Sequence, residues 1–186
     1  IPGLRPAFSK DGTITAANSS SISDGASALV LMGEADARAR GLKPMARILG
    51  HARHSQEPSE FTIAPIGAIN KLFEKTGWSA QDVDLFEINE AFAVVAEKFI
   101  RDLKLDRDKV NVNGGSIALG HPIGATGSIL IGTMLDELER RDLKRGLVTM
   151  CASGGMAPAI IIERVQLRRR DLKLERHTGI GRRQPD

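Results

Sequence analysis

"DLFEINEAFAVVAEKFIRDL", residues 84–103, changes its hydrophobic rhythm once. In the opening six residues Leu85, Phe86 and Ile88 lie close together between polar ends, as in a short buried strand. From Glu90 onward the apolar positions spread out at helical spacing. The reading is a strand that runs directly into a helix, with Asn89 at the junction. Repetition of that unit builds α/β proteins, in which helices cover a sheet.

The alternation continues on both sides. "ALVLM" (28–32) reads as a buried strand, and "EADARARG" (34–41) as a helix stopped by Gly41. "MARILGHAR" (45–53) is the next expected strand. Pro65 opens a helix whose Ile66, Ile69, Leu72 and Phe73 share a face, and Gly77 closes it. "SAQD" (79–82) has the form of a capping-box variant or a turn. Val110 to Asn113 reads as a short strand and 128–141 as a helix. "GLVTMC" and "APAIIIE" are read as strands joined through "ASGG" in a hairpin. Pro158 cannot donate to a ladder, so it predicts an edge or strand-start position. No internal repeat is visible.

Composition narrows the class. The chain has 186 residues, 41% hydrophobic and 26% charged, enough for one ordinary domain with a proper core. A single cysteine, Cys151, rules out an internal disulfide and suits a reducing compartment or a catalytic thiol. No apolar run approaches the roughly 18 residues of a membrane span, and no leader pattern is present, so we expect a protein without a membrane partner. The opening "IPGLRPAFSKDG" reads as the middle of a loop, and part of a longer protein is expected to precede it. The net charge of +3 is a property of the end: residues 164–186 hold 8 Lys/Arg against 3 Asp/Glu, the remainder 18 against 20. That end reads as a solvated, partly disordered tail. It has no aromatic residue to stack on bases, so no nucleic-acid partner is expected.

Three positions fall where strands end: Asn89, the glycine-rich loop around His121, and Cys151. In open α/β sheets ligands gather outside those ends. The loop, "NVNGGSIALGHPIGATGS" (111–128), has the G-x-x-x-x-G spacing of a P-loop in residues 115–120. His121 and Pro122 stand where that motif needs Lys and Ser/Thr, and G-x-G-x-x-G does not fit either. A lone histidine is often structural, yet imidazole can also donate to a developing oxyanion or exchange a proton near neutral pH. Cys151 is either a small buried hydrophobe or, beside a glycine-containing turn, an acid/base or nucleophile. Asn89 either caps the helix that follows or positions a water or a substrate carbonyl. His51, His54, His121 and Cys151 show no ligand spacing, so no metal is expected.

"NEAFA" (89–93), "NVNGGSIALGHPIGATG" (111–127) and "CASGGMAPAIIIE" (151–163) resemble, in order and spacing, three signature blocks of the C-terminal half of thiolases, the acetyl-CoA acetyltransferase family. Residues 11–32 and 61–69 resemble upstream stretches of the same enzymes, so the likeness covers roughly residues 4–163. It implies a thiolase-like α/β fold, a mixed sheet covered by helices, divided as follows: 1–21 a loop end, 22–41 the close of the N-terminal domain, 42–163 the C-terminal domain, and 164–186 a non-family tail. The implied reaction is Claisen condensation of acyl-CoA or thiolysis of a 3-ketoacyl-CoA through an acyl-cysteine, with coenzyme A thioester as substrate and no further cofactor. His121 would activate the nucleophilic cysteine and help form an oxyanion hole, Asn89 would hold a water there, and Cys151 would shuttle the α-proton. The Ser153 N–H matches the second oxyanion donor, Ser20 a serine beside the pantetheine arm, and Phe61 the acyl-pocket stretch.

The resemblance further implies a homodimer or homotetramer, in a bacterial cytoplasm ahead of a mitochondrion or peroxisome. Two departures matter. The family's nucleophilic cysteine belongs to the N-terminal half, and Cys151 matches the other cysteine, so this chain alone is expected to be inactive. Ser21 and Ser153 stand where many members carry glycine. The competing readings are a non-catalytic CoA-binding or subunit-interaction module with the same fold, and a decarboxylating ketosynthase. Cys151 speaks against the latter.

Overall fold

The computed structural model describes residues 3–165. The elements are, in order, α1 (Glu34–Ala39), β1 (Ala46–Ser55), α2 (Ala64–Thr76), β2 (Leu85–Ile88), α3 (Ala93–Asp102), α4 (Ser116–Leu119), α5 (Thr126–Arg140), β3 (Arg145–Thr149) and β4 (Met156–Arg164). Short 3-10 turns at 16–18, 58–63, 80–82 and 107–109 join them. The tail beyond 165 lies outside the described residues.

The four strands form one mixed sheet in the order β1-β4-β3-β2, with β2 and β3 parallel and the other pairs antiparallel. Alternation along the strands separates two apolar faces. Phe86, Ile88, Leu147 and Ile161 pack with Ile69 and Leu72 of α2 and Val95 and Phe99 of α3. Leu85, Val148 and Ile162 face the other way, onto Leu130, Met134 and Leu138 of α5. The result is a three-layer α/β/α body, as the alternating pattern predicts. Each of these fully buried side chains contributes about 1.5–3 kcal/mol relative to exposure.

Several expectations hold at the level of single residues. Gly77 ends α2 in the left-handed region at φ +71°, and Ser79 with Asp82 forms a capping box. The hairpin between β3 and β4 turns through Gly154 and Gly155, both at positive φ.

Others are corrected. Residues 28–32 form no strand: Val30 and Leu31 are 86% and 72% exposed, since no described strand lies beside them to satisfy their backbone. Residues 110–113 reduce to a single bridge between Val110 and Phe86, because Asn111 takes φ +47° and breaks the extended run. The third helix begins at Ala93 with Phe92 as its N-cap, so Asn89 does not cap it. Pro158 lies in β4, an interior strand. The β3 ladder stops at Thr149 opposite Ala159, one residue before Pro158, so the missing N–H costs no pairing there. The Pro158 carbonyl accepts from Thr149 Oγ1 at 2.7 Å.

Candidate active site

β2 and β3 run side by side in register, Ile88 opposite Thr149, and Asn89 N–H donates to the Thr149 carbonyl at 3.1 Å. Asn89 and Cys151 therefore leave the sheet at the same edge, one and two residues beyond a matched pair. Both are buried, Asn89 completely. Asn89 continues the face of Leu85 and Glu87, toward α5, and the glycine-rich loop closes over it from that side.

The loop is anchored at several points. Asn113 Nδ2 donates at 3.1 Å to Glu137 of α5, and that buried carboxylate also binds Arg140 and Arg141. The Arg140 guanidinium, with Asn113 and Arg141, holds Glu137 down at about 2, despite its burial. Asn111 uses its side chain as a peptide would: Oδ1 accepts from Ile88 N–H at 2.7 Å and Nδ2 donates to the Ile88 carbonyl at 2.9 Å. Nδ2 also donates to Glu90 at 2.8 Å, and the Glu90 carboxylate fills the space where Gly115 lacks a Cβ. Downstream, Gly120 takes φ +92° under Ser23, and His121 N–H donates to the Ser21 carbonyl at 2.9 Å. Ser20 sits one residue earlier, its N–H and hydroxyl both donating to the Ala91 carbonyl, at 3.0 and 3.2 Å. The segment 19–22 thus stitches the loop after β2 to the loop around His121.

The side chains meet in a row. Ser116 Oγ lies 2.5 Å from Asn89 Oδ1, Asn89 Nδ2 3.4 Å from His121 Nε2, His121 Nδ1 2.7 Å from Thr126 Oγ1, and Thr126 Oγ1 2.9 Å from the Pro122 carbonyl. One proton arrangement makes every contact a hydrogen bond. The Pro122 carbonyl can only accept, so Thr126 donates to it and accepts from His121 Nδ1–H. A neutral imidazole then has its lone pair at Nε2, which accepts from Asn89 Nδ2, leaving Oδ1 to accept from Ser116. Burial lowers the His121 pKa below its usual 6.5, which favours this neutral form at pH 7.

Of the residues expected from the sequence, Asn89 and His121 are brought into contact and Cys151 shares their sheet edge without a hydrogen bond to either. Burial pushes the Cys151 thiol up, so it holds its proton at neutral pH. Ser153 is exposed in the turn between β3 and β4, where Ala152 and Met156 pair. Phe61 is half-buried in the 3-10 turn at 58–63, which packs on α2, α3 and β4. Ser116, Thr126, Asn111 and Glu90 were missed as a set; their only signal was placement in or beside the quoted blocks. Between residues 23–27 and Pro122–Ala125 runs an open cleft of about 320 Å³. Among the described residues no helix is long and apolar enough to cross a membrane, and no group of three or more His, Cys, Asp or Glu could hold a metal ion.

The family model for the thiolase C-terminal domain matches residues 42–164, and that for the thiolase N-terminal domain matches residues 1–35. The acetyl-CoA acetyltransferase of Paracoccus denitrificans is 51% identical over 164 residues, covering 88% of this chain and 42% of that protein. That of Chromobacterium violaceum is 52% identical over 161 residues, 87% of this chain and 41% of that protein. The crystal structure of Bacillus anthracis acetyl-CoA acetyltransferase superposes with a TM-score of 0.85 at 47% identity, over 88% of this chain and 42% of that one. Human mitochondrial 3-ketoacyl-CoA thiolase in complex with CoA superposes with a TM-score of 0.81 at 40% identity, over 89% of this chain and 42% of that one. The chain thus spans about two fifths of the length of these relatives. With a matched family model over most of its residues, the chain belongs to the thiolase family.

Proposed function

We propose that this chain supplies the histidine, asparagine and acid/base cysteine of a thiolase site, acting in Claisen condensation of acetyl-CoA or thiolysis of a 3-ketoacyl-CoA. The observation that carries the reading is the meeting of Asn89 and His121 at the sheet edge from which Cys151 also emerges. His121 Nε2, as the unprotonated nitrogen, takes the proton of an attacking thiol. The sulfur–acyl bond forms as the acyl–CoA sulfur bond breaks, and the Cys151 thiol gives its proton to the departing CoA thiolate, leaving Cys151 as the thiolate and the imidazole protonated. While protonated, Nε2–H is a donor for the enolate oxygen, and Asn89 orients a water toward the same charge. In thiolysis the sulfur–acyl bond forms as the bond between the α- and β-carbons breaks, and the Cys151 thiol protonates the α-carbon of the leaving acetyl-CoA; in condensation the Cys151 thiolate removes that proton as the carbon–carbon bond forms and the sulfur–acyl bond breaks. Ser153 N–H is the second oxyanion donor, Ser20 and the neighbouring cleft accept the pantetheine arm, and Phe61 lines the acyl pocket.

Cys151 is the one cysteine among the 186 residues, so in this reading the acyl-accepting thiol comes from outside them. The division into 1–21, 22–41, 42–163 and 164–186, the dimeric or tetrameric assembly and the bacterial cytoplasmic setting belong to the same proposal. The test joins this chain to the N-terminal half of the Paracoccus denitrificans enzyme and follows acetoacetyl-CoA consumption in the presence of CoA. The isolated chain is expected to be inactive, the joined protein active, and its His121→Ala variant at least 100-fold slower. A folded joined protein without turnover refutes the proposal. Calorimetric binding of CoA to the isolated chain, together with that result, would instead favour a binding module.

A further inference from the structure

The row of side chains contains a donor for which the reaction above has no use. Ser116 is 4% exposed and is the first residue of α4, and Asn89 Oδ1 is the partner of its hydroxyl. Gly115 is the N-cap of that turn and no side chain caps it, so the hydroxyl has no capping duty. A primary amide is nearly symmetric in shape, and rotation by half a turn exchanges Oδ1 with Nδ2 at no steric cost. Which end faces His121 is therefore decided by hydrogen bonding alone.

The consequences of the two orientations differ at the imidazole. With Nδ2 toward His121, the ring must present a lone pair at Nε2. With Oδ1 toward His121, the ring must present Nε2–H, and Nδ1 must accept from Thr126. Nothing at the far end forbids that reversal. Thr126 can swing its proton from the Pro122 carbonyl to Nδ1, because that carbonyl still accepts from the N–H groups of Ala125 and Thr126 at 2.8 and 2.9 Å. The bias must arise at the other end of the row. In the first orientation the buried Ser116 proton is used. In the second, Ser116 accepts from Nδ2 and its proton is left without an acceptor among the described residues, a penalty typical of buried hydroxyls.

We propose that Ser116 is a positioning residue: by donating to Asn89 Oδ1 it turns Nδ2 toward His121 and so keeps the imidazole in the Nδ1–H tautomer, with Nε2 free to take a proton. This rests on the reading of His121 as the base, since only a base needs that nitrogen unprotonated. Asn89 thereby acts as the transmitter between a serine and a histidine that do not touch.

The test is a tautomer measurement on the full chain, which does not depend on acyl transfer. Two-bond proton–nitrogen NMR spectra of the uniformly labelled protein at pH 8, with His121 assigned through His121→Gln, report which ring nitrogen bears the proton. The wild type is expected to show a pyrrole-type Nδ1 and a pyridine-type Nε2. In Ser116→Ala both amide orientations leave one end empty, so the two nitrogens should move to intermediate shifts. Ser116→Thr, which keeps the hydroxyl, should restore the wild-type pattern. Should Ser116→Ala fail to fold, Ser116→Cys, of similar size but a weak donor, takes its place and should move the nitrogens in the same direction by a smaller amount. An Nε2–H tautomer in the wild type, or unchanged nitrogens in the folded Ser116→Ala or Ser116→Cys variant, overturns the proposal. In the joined protein, Ser116→Ala should lower kcat about tenfold with KM unaltered. Absence of activity there with the tautomer pattern as expected would refute the functional reading and leave the role of Ser116 standing.

Discussion

Glu87 is the most expensive residue in the sheet. It is 2% exposed on β2, on the α5 face between Leu85 and Asn89, and no described residue offers it a hydrogen bond or a cation. Burial pushes its carboxyl up to about 8, and the nearby Glu90 and Glu137 push in the same direction. An unfolded glutamate titrates near 4.5. Between these two values the folded chain holds a proton that the unfolded chain releases, so stability falls as pH rises through that window. At pH 7, protonating a carboxylate of ordinary pKa costs about 3 kcal/mol. Glu87→Gln keeps the shape and abolishes that cost. The variant should match the wild type near pH 4.5, exceed it by about 3 kcal/mol at pH 7, and gain nothing further once Glu87 itself ionises above about pH 8. The assay is the urea midpoint of the full chain at several pH values, read by far-UV circular dichroism. Glu137, held low, contributes stability that is lost only as pH falls toward about 2. His121, lowered by burial, costs stability as pH falls below its usual value, and Cys151, raised by burial, costs it as pH rises past 9.0. All three cancel in the difference between the two proteins. Parallel pH profiles for variant and wild type would refute the reasoning.

Other outcomes follow from the same structure. Gly155 has φ +81°, and a Cβ there would lie 2.1 Å from the Gln56 carbonyl, which is backbone and cannot yield. Gly155→Ala should cost about 3 kcal/mol or more in urea unfolding, against a smaller loss at the open Gly154. Gly115→Ala meets the Glu90 carboxylate at 2.1 Å, a side chain, so a second change, Glu90→Ala, should recover much of the lost stability. NMR titration of His121 should give a pKa below 6.5, and a value above it would contradict the burial of the ring. The apolar run at Leu29, Val30, Leu31 and Met32 is exposed, so the chain should self-associate by light scattering, and Val30→Lys with Leu31→Lys should reduce that association.

The alternation of runs and amphipathic stretches made the body legible because each buried strand here has a neighbour to pair with and each helix bonds within itself. β2, β3, β4, α2 and α5 all fall where the spacing places them. Residues 28–32 were misread because apolar density reports only that burial is wanted, and no described strand provides it. Asn111 was misread because a side chain standing in for a strand leaves no periodic trace. Gly115 and Gly120, in the glycine-rich loop around His121, are pressed against Glu90 and Ser23, so their smallness serves packing of the loop. Asn89 and His121 were identified through motif blocks. Ser116 and Thr126 were not, since the direction of a hydrogen bond depends on distances that spacing does not encode.

The amide of Asn111 has a consequence for the margin of the sheet. By occupying the outward N–H and carbonyl of Ile88, it closes the last position at which another chain could template onto β2. The opposite margin, β1, has ten residues and no strand beyond it among the described residues. Growth of this sheet by strand addition is thereby given a single permitted direction.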